Sequence, residues 1–303
     1  MPTHSKFHQT YLDTVVRDRR THMLTIKEQI EHAKTLFEID KIPALPKEIL
    51  KLNELLSGLQ LPETNEIVKL ISQNMNLTAE VIKTANYPLF SKHRAADVTS
   101  IRDAVDVIGV KSLKSLVMGI YYSMEYLGRA RTEINQLSLN TASLCGFLSE
   151  RVMHIRSDQA YLGGLFYNSG CIILATKFKD YDEVFMECLA APYHTKQIEN
   201  ERYTSSRNVA GLLLAKKWQL GKSMGHIIYQ AHKKHLPEIE DDSIRTLVAL
   251  VQLSEACIIE HEMPEYFTEE VALMRENANQ ELMIAEEDIR EAIDYLFPQP
   301  GSF

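Results

Sequence analysis

The stretch DQAYLGGLFYNSGCIILATKF, residues 158–178, has apolar side chains on both sides of a run of small residues. Its middle, GGLFYNSG (Gly163–Gly170), contains a Tyr167–Asn168 pair and nothing obviously catalytic. No turn residues of the kind that flank β-strands stand beside it. The stretch therefore predicts a single helix over 158–178.

The same helical period recurs along the chain. The segment PKEILKLNELLSG places its apolar residues on one stripe and stops at Gly58. In SIRDAVDVIG, Ser100 is the expected N-cap and Gly109 the expected stop. We therefore predict an all-α fold, whose longer helices are expected over residues 112–127, 134–154, 158–178, 181–190, 207–218, 222–235, 243–261 and 285–297.

Composition limits the function classes. With 303 residues and 45% hydrophobic content, the chain is long enough to bury a sizeable core. Its formal charge of −8 argues against nucleic acid as a partner, because such proteins carry a basic face. Charges interrupt the first 20 residues before a signal peptide could form, and the apolar run 248–259 is too short to span a membrane. We expect a cytoplasmic protein with no membrane partner.

Cysteines and histidines give no clear metal site. The four cysteines form no CxxC pair and lie in apolar helical contexts, so we expect small buried thiols without disulfides. His232 and His235 are three residues apart in QAHKKH. Because protonated histidines suit a helix C-terminus, a solvated last turn is favoured over a metal site there. Nucleophile motifs, a P-loop and a dinucleotide fingerprint are also missing from the sequence.

Five segments in order carry a resemblance. They are IPALP (42–46), NMNLTAEVIKTANYPLF (74–90), SIRDAVDVIG (100–109), GGLFYNSG (163–170) and NVAGLLLAKKWQLG (208–221). Their order and spacing resemble the HDOD family, the HD-related output domain of bacterial signalling proteins, over roughly residues 39–261. The resemblance implies two lobes, an N-terminal helical bundle and a degenerate lobe related to HD-type metal-dependent phosphohydrolases.

The resemblance also implies where a metal site would lie. In HD-type hydrolases a first histidine, an adjacent His-Asp pair and a later aspartate hold a divalent ion that generates the attacking hydroxide. Here Tyr167 and Asn168 replace the pair, and a phenol is a poor ligand while asparagine lacks charge. We expect no metal, no cofactor and no catalytic residue, with Tyr167 and Asn168 bonded to each other across a vacated pocket; a repurposed small-ligand pocket is the alternative. The corresponding positions are Asn140, Tyr167, Asn168, Arg207, Ser254 and Glu255.

Four segments are expected in the domain organisation: an N-terminal helical arm (1–38), an N-terminal HDOD lobe (39–130), a degenerate HD-like lobe (131–262) and a C-terminal helical extension (263–303). The arm is expected to pack through Met23, Ile26, Ile30 and Phe37 on the chain or on a neighbouring subunit, with partner docking as the alternative. Two further residues are expected to be structural: Asn86 as a helix-end cap and Trp218 as the core anchor of the second lobe.

The leading functional hypothesis is a non-catalytic signalling protein that acts by protein–protein interaction. The chain contains no receiver, kinase or cyclase segment, so its partner, of the response-regulator or cyclic-di-nucleotide enzyme type, is expected on another polypeptide. Two alternatives stay open: a divergent HD-type metal-dependent phosphohydrolase, and a nucleotide sensor that uses the vacated pocket.

Overall fold

The structure, a computed structural model, describes residues 26–37, 45–56, 62–87, 90, 97–122 and 132–297. Within these ranges the regular elements are all helices, which confirms the all-α fold. None of the helices in the described ranges has the length and apolar character needed to cross a membrane.

The α-helices are named here in chain order. They are α1 (Ile26–Leu36), α2 (Lys47–Leu55), α3 (Thr64–Ile71), α4 (Met75–Ala85), α5 (Ile101–Ile108), α6 (Val110–Tyr122), α7 (Thr132–Leu148), α8 (Ser157–Phe166), α9 (Ser169–Lys177), α10 (Tyr181–Ala190), α11 (Thr195–Tyr203), α12 (Arg207–Lys217), α13 (Lys222–Gln230), α14 (Asp242–Glu262), α15 (Glu269–Leu282) and α16 (Glu286–Leu296).

Helices α2 to α6 pack together as an N-terminal bundle. The bundle has well-formed helix ends: the Ser100 hydroxyl accepts a hydrogen bond from the Asp103 backbone N–H, 3.1 Å away, at the start of α5. Gly109 ends α5 with a φ of +79°, a conformation that favours glycine. Both signals were predicted from the sequence.

Asn86 caps the end of α4, as predicted. Its Nδ2 donates to the carbonyl oxygens of Ile82 and Val98, 3.1 and 2.9 Å away, and its Oδ1 accepts from the Val98 N–H at 2.7 Å. These bonds hold the segment before α5 against the end of α4, so one side chain fixes two elements of the bundle.

The second lobe is built around α14. This 21-residue helix is buried continuously from Leu247 to Ile259, so it has no solvent face over that length. Helices α7, α8, α13 and α15 pack on it, and α9 packs on α12. The described chain ends with α16, which lies against α7.

Helix α6 joins the two lobes. Its last residues, Tyr121 and Tyr122, bring their rings 5.5 and 6.0 Å from the ring of Trp218, and Tyr122 also lies 4.6 Å from Phe166. Trp218 is fully buried, which confirms the predicted core anchor. The predicted lobe boundary falls largely in residues 123–131, outside the described residues, so the four-segment division stays a prediction.

Several predicted helices end differently. The helix predicted over 134–154 ends at Leu148 and passes into a 3-10 turn (Ser149–Arg151), and the one predicted over 222–235 ends at Gln230. The helix predicted over 158–178 is wrong, because α8 ends at Phe166 and α9 begins at Ser169. The break lets α8 bury its surface against α6, α7 and α14 while α9 packs closely on α12.

The N-terminal arm packs on its own chain where it is described. Helix α1 lies against α12, with Ala33 and Phe37 buried. Ile26, however, is 49% exposed, which corrects the expectation that it faces inward. The Ile26 side chain lines an open groove and is not packed against other side chains of the core. Met23 lies outside the described residues.

All four cysteines are buried and free, as expected. The Cys145 thiol donates to the Leu250 carbonyl oxygen at 3.4 Å. Burial raises the pKa of Cys145 and Cys171 to about 12 and that of Cys257 to about 11. Because the thiolate is the reactive form, these cysteines are doubly protected, by burial and by protonation.

We expect the native protein to react negligibly with an aromatic disulfide reagent at pH 8 over an hour. After unfolding in guanidinium chloride, all four thiols should react. The absorbance of the released thiolate measures both states. Rapid reaction of one thiol in the native protein would show that its cysteine is not enclosed.

Candidate functional site

The break between α8 and α9 brings Tyr167 into a buried chain of hydrogen bonds. Tyr167 is fully buried, and its hydroxyl donates to Glu255 Oε1, 3.0 Å away, on α14. The other oxygen of Glu255, Oε2, lies 2.9 Å from His232 Nε2. The side chains of Tyr167 and His232, which are far apart in sequence, therefore meet at the carboxylate of Glu255.

His232 is not solvated, so the interpretation of QAHKKH as a solvated turn is wrong for this residue. Its side chain is 6% exposed, whereas His235 is exposed. The reason is that α13 ends at Gln230 and the following turn folds over α14. Gln252 holds this turn, since its Nε2 donates to the carbonyl oxygens of Ala231 and Lys233, both at 2.9 Å.

Asn168 does not join the hydrogen bonds of Tyr167 and Glu255 but bonds to the buried side chain of Arg207. Its Oδ1 accepts from Arg207 Nη1 at 3.3 Å. The expectation that Tyr167 and Asn168 bond each other is therefore wrong. At the helix break the two consecutive side chains reach different helices, Tyr167 toward α14 and Asn168 toward the start of α12.

Arg207 forms a fully buried ion pair with Glu199 of α11. Arg207 Nε lies 2.6 Å from Glu199 Oε1, and the Arg207 backbone N–H donates to Glu199 Oε2 at 2.7 Å. The Tyr181 hydroxyl donates to the same Oε1 at 2.6 Å. The guanidinium carbon also lies 5.0 Å from the centre of the Phe185 ring. The arginine is thus held by a carboxylate and by an aromatic face.

Burial keeps both phenols of this region protonated. The pKa of Tyr167 is raised well above its usual value by burial and then by the charge of Glu255. The pKa of Tyr181 is also raised well above its usual value, chiefly by burial. Protonated phenols are donors, in agreement with the bonds that both make to carboxylates.

Two of the six predicted positions stand apart. Asn140 is buried, but its Oδ1 accepts from Gln136 Nε2 at 2.7 Å on its own helix. The next residue, Thr141, lies beside Tyr167 instead. Ser254 is fully buried and lies beside the Cys145 thiol. The other four positions lie at the helix break in two hydrogen-bonded pairs, Tyr167 with Glu255 and Asn168 with Arg207, and neither pair includes Asn140 or Ser254.

Sequence reasoning missed Glu199, Tyr181 and His232. One signal was present for Glu199: the buried residues of the very polar helix α11 are Thr195, Glu199 and Tyr203, spaced by four. That spacing marks an inward face, on which a carboxylate needs a partner. No comparable local pattern marks His232.

The assembled residues do not fit a divalent metal ion. The Arg207 cation touches the Asn168 oxygen, both oxygens of Glu255 accept from donors, and Tyr167 stays protonated. A second positive charge beside Arg207 would be repelled. Among the residues that the structure describes, no three His, Cys, Asp or Glu side chains are placed to hold a metal.

Comparisons with known proteins agree with this architecture. The family model of the HDOD domain matches residues 42–234. No curated protein matches the chain significantly.

Solved structures of other proteins share the fold. An HDOD domain protein from Geobacter sulfurreducens has 20% identity and a TM-score of 0.62, covering 91% of this chain and 100% of its own. A Shewanella amazonensis protein, provisionally described as a metal-dependent phosphohydrolase, has 18% identity and a TM-score of 0.60, covering 89% and 97%. A Marinobacter aquaeolei protein, provisionally described as a signal transduction protein, has 20% identity and a TM-score of 0.56, covering 97% and 63%.

Proposed function

The chain belongs to the HDOD family, and on this premise we propose that it is a non-catalytic bacterial signal-transduction protein that acts by binding a protein partner. The fold by itself does not choose between signalling and hydrolysis, because similar structures carry both descriptions. The choice rests on the residues at the α8–α9 break.

The burial and pairing of Arg207 support a non-catalytic role. It is 1% exposed and lies between Asn168 and Glu199, where it neutralises the carboxylate of Glu199. Asn168, Tyr181, Glu199 and Arg207 form a buried cluster. The Arg207 guanidinium supplies, through hydrogen bonds, the positive charge that a metal ion would supply in a metal site. In this proposal the cluster stabilises the lobe and carries out no reaction.

A nucleotide at the same place is less favoured. Tyr167, Asn168 and Arg207 are each at most 1% exposed and bond to neighbouring side chains. Among the residues that the structure describes, Asn168 Nδ2 and Arg207 Nη2 have no hydrogen-bond partner, and buried water commonly satisfies such groups. Opening this region to a nucleotide would break the buried ion pair.

The proposed partner is a protein on another polypeptide, of the response-regulator or cyclic-di-nucleotide enzyme type, and the proposed location is the cytoplasm. No cofactor is needed for this role. Affinity capture from an extract of the native host, with the full chain as bait, is the experiment that would identify this partner.

We expect purified protein to contain no stoichiometric divalent metal and to turn over no phosphomonoester, phosphodiester or nucleotide with manganese added. The physical reason is the ligand set, in which Tyr167 and Asn168 are already bonded to Glu255 and Arg207. Elemental analysis of unchelated protein and a phosphate-release assay measure this. Stoichiometric metal together with turnover that disappears in Asn168→Ala would overturn the non-catalytic proposal.

A further inference from the structure

A groove of about 470 Å³ lies between α12 and α13, beside the first residue of α1. Its walls include the apolar side chains of Ile26, Leu212 and Ala215, and Gly225 leaves room on the side of α13. No residue of α8 or α9 lines it, so this surface is separate from the buried cluster described above.

The rim of the groove is basic. Lys216, Lys222 and His226 line it and are exposed, and none of its described lining residues is acidic. Glu31 of α1 is near Lys216, but its carboxylate is bonded to Lys34.

Helix α1 shows how a helix binds to this side of α12. It lies on α12 with Ala33 and Phe37 buried, through one apolar stripe. The groove adjoins this contact, because Ile26 of α1 and Leu212 and Ala215 of α12 line it together with residues of α13. Its apolar walls therefore suit a further helix that has apolar residues on one face.

We propose that this groove binds an acidic amphipathic helix of a partner protein, an inference that rests on the proposed signalling function. The apolar walls would take one stripe of the helix, and the basic rim would pair with carboxylates on its flanks. The chain's own first 25 residues are a poorer match. They contain Lys6, Arg17, Arg19 and Arg20 against Asp13 and Asp18, a net charge of the same sign as the rim.

The test uses the full chain and a fluorescent peptide of about 15 residues, with leucines at i, i+3, i+4 and i+7, glutamates at positions flanking this stripe and alanines elsewhere, which favour a helix. Fluorescence anisotropy measures its affinity. The double variant Lys216→Glu and Lys222→Glu should bind at least about tenfold more weakly, because attraction becomes repulsion. The control, Lys177→Glu and Lys179→Glu, makes the same charge change at exposed positions outside the groove and should bind within about twofold of the parent.

A charge exchange makes the test independent of folding. A peptide with lysines in place of glutamates should bind the Lys216→Glu and Lys222→Glu variant better than the parent. Equal affinities of both peptides for both proteins would overturn the proposal. So would a crosslink to residues before Ile26, or to a second copy, from a photoreactive phenylalanine analogue placed at His226 of the isolated protein. If the peptide does not bind as expected and the phosphate-release assay shows no turnover, only the groove proposal is refuted. If that assay shows turnover, the proposed non-catalytic function is refuted.

Discussion

Replacing Gly170 with alanine is expected to lower the free energy of unfolding by about 3 kcal/mol or more. A Cβ atom at this position would lie 1.9 Å from the Arg207 carbonyl oxygen and 2.7 Å from the Gly211 backbone nitrogen. Both atoms belong to the backbone of α12, so no side-chain rotation relieves the clash. Helices α9 and α12 would have to separate, and the buried cluster between them would open.

Gly163 provides the matched control, because it lies in the same GGLFYNSG segment. The nearest atoms to a Cβ there are Val251 Cγ2 at 3.6 Å and Ile227 Cγ2 at 3.8 Å, which are ordinary contacts. Gly163→Ala should be neutral or stabilise the protein by up to about 1 kcal/mol, since alanine favours a helix interior. Urea unfolding followed by circular dichroism measures both variants. Equal stabilities of the two variants would contradict the close approach of α9 and α12.

Removing the buried cation should have a similarly large effect. We expect Arg207→Met to cost about 3–5 kcal/mol, because Glu199 would keep a buried negative charge without its partner. Three hydrogen bonds now satisfy that carboxylate: the Arg207 side chain, the Arg207 backbone and the Tyr181 hydroxyl. Denaturant unfolding, with the slope checked for two-state behaviour, measures the change.

A second substitution separates charge from packing. In Arg207→Met with Glu199→Gln, the carboxylate charge is gone, and a large part of the lost stability should return. Arg151→Met is the control, because its pair with Asp288 is one-third exposed and should contribute at most about 1 kcal/mol. An Arg207→Met variant as stable as this control would mean that the ion pair does not stabilise the lobe.

Much of the fold follows from local signals in the sequence. The helical period, the Ser100 cap and the Gly109 stop depend on residues within one or two turns of each other, and the structure shows each of them. Trp218 was also recognisable, since a lone large aromatic on the inner face of a helix belongs to a core. The break after Phe166 was not, because the apolar pattern continues through it. What interrupts that helix is its packing against α12 and α14, which a local pattern does not contain.

The residues of the candidate site also fall into those that could be located from the sequence and those that could not. The HDOD resemblance located Tyr167, Asn168, Arg207 and Glu255, which the structure brings together at the helix break. His232 was missed because its partner, Glu255, is 23 residues away in sequence. Glu199 lies only eight residues before Arg207, and its spacing with Thr195 and Tyr203 was the one local signal for it. The pairing of Tyr167 with Asn168 failed for a related reason, since it assumed that neighbours in sequence face one pocket.

The junction of the two lobes bears on how such a protein changes over generations. Because α6 ends with Tyr121 and Tyr122 against Trp218, each lobe lacks part of its interior without the other. A gene carrying only one half would encode a chain with a large apolar gap, which selection would remove. We therefore expect the two halves to be inherited together. New specificity in this lineage would arise by changes on the outer surface of the whole module, not by exchange of its halves.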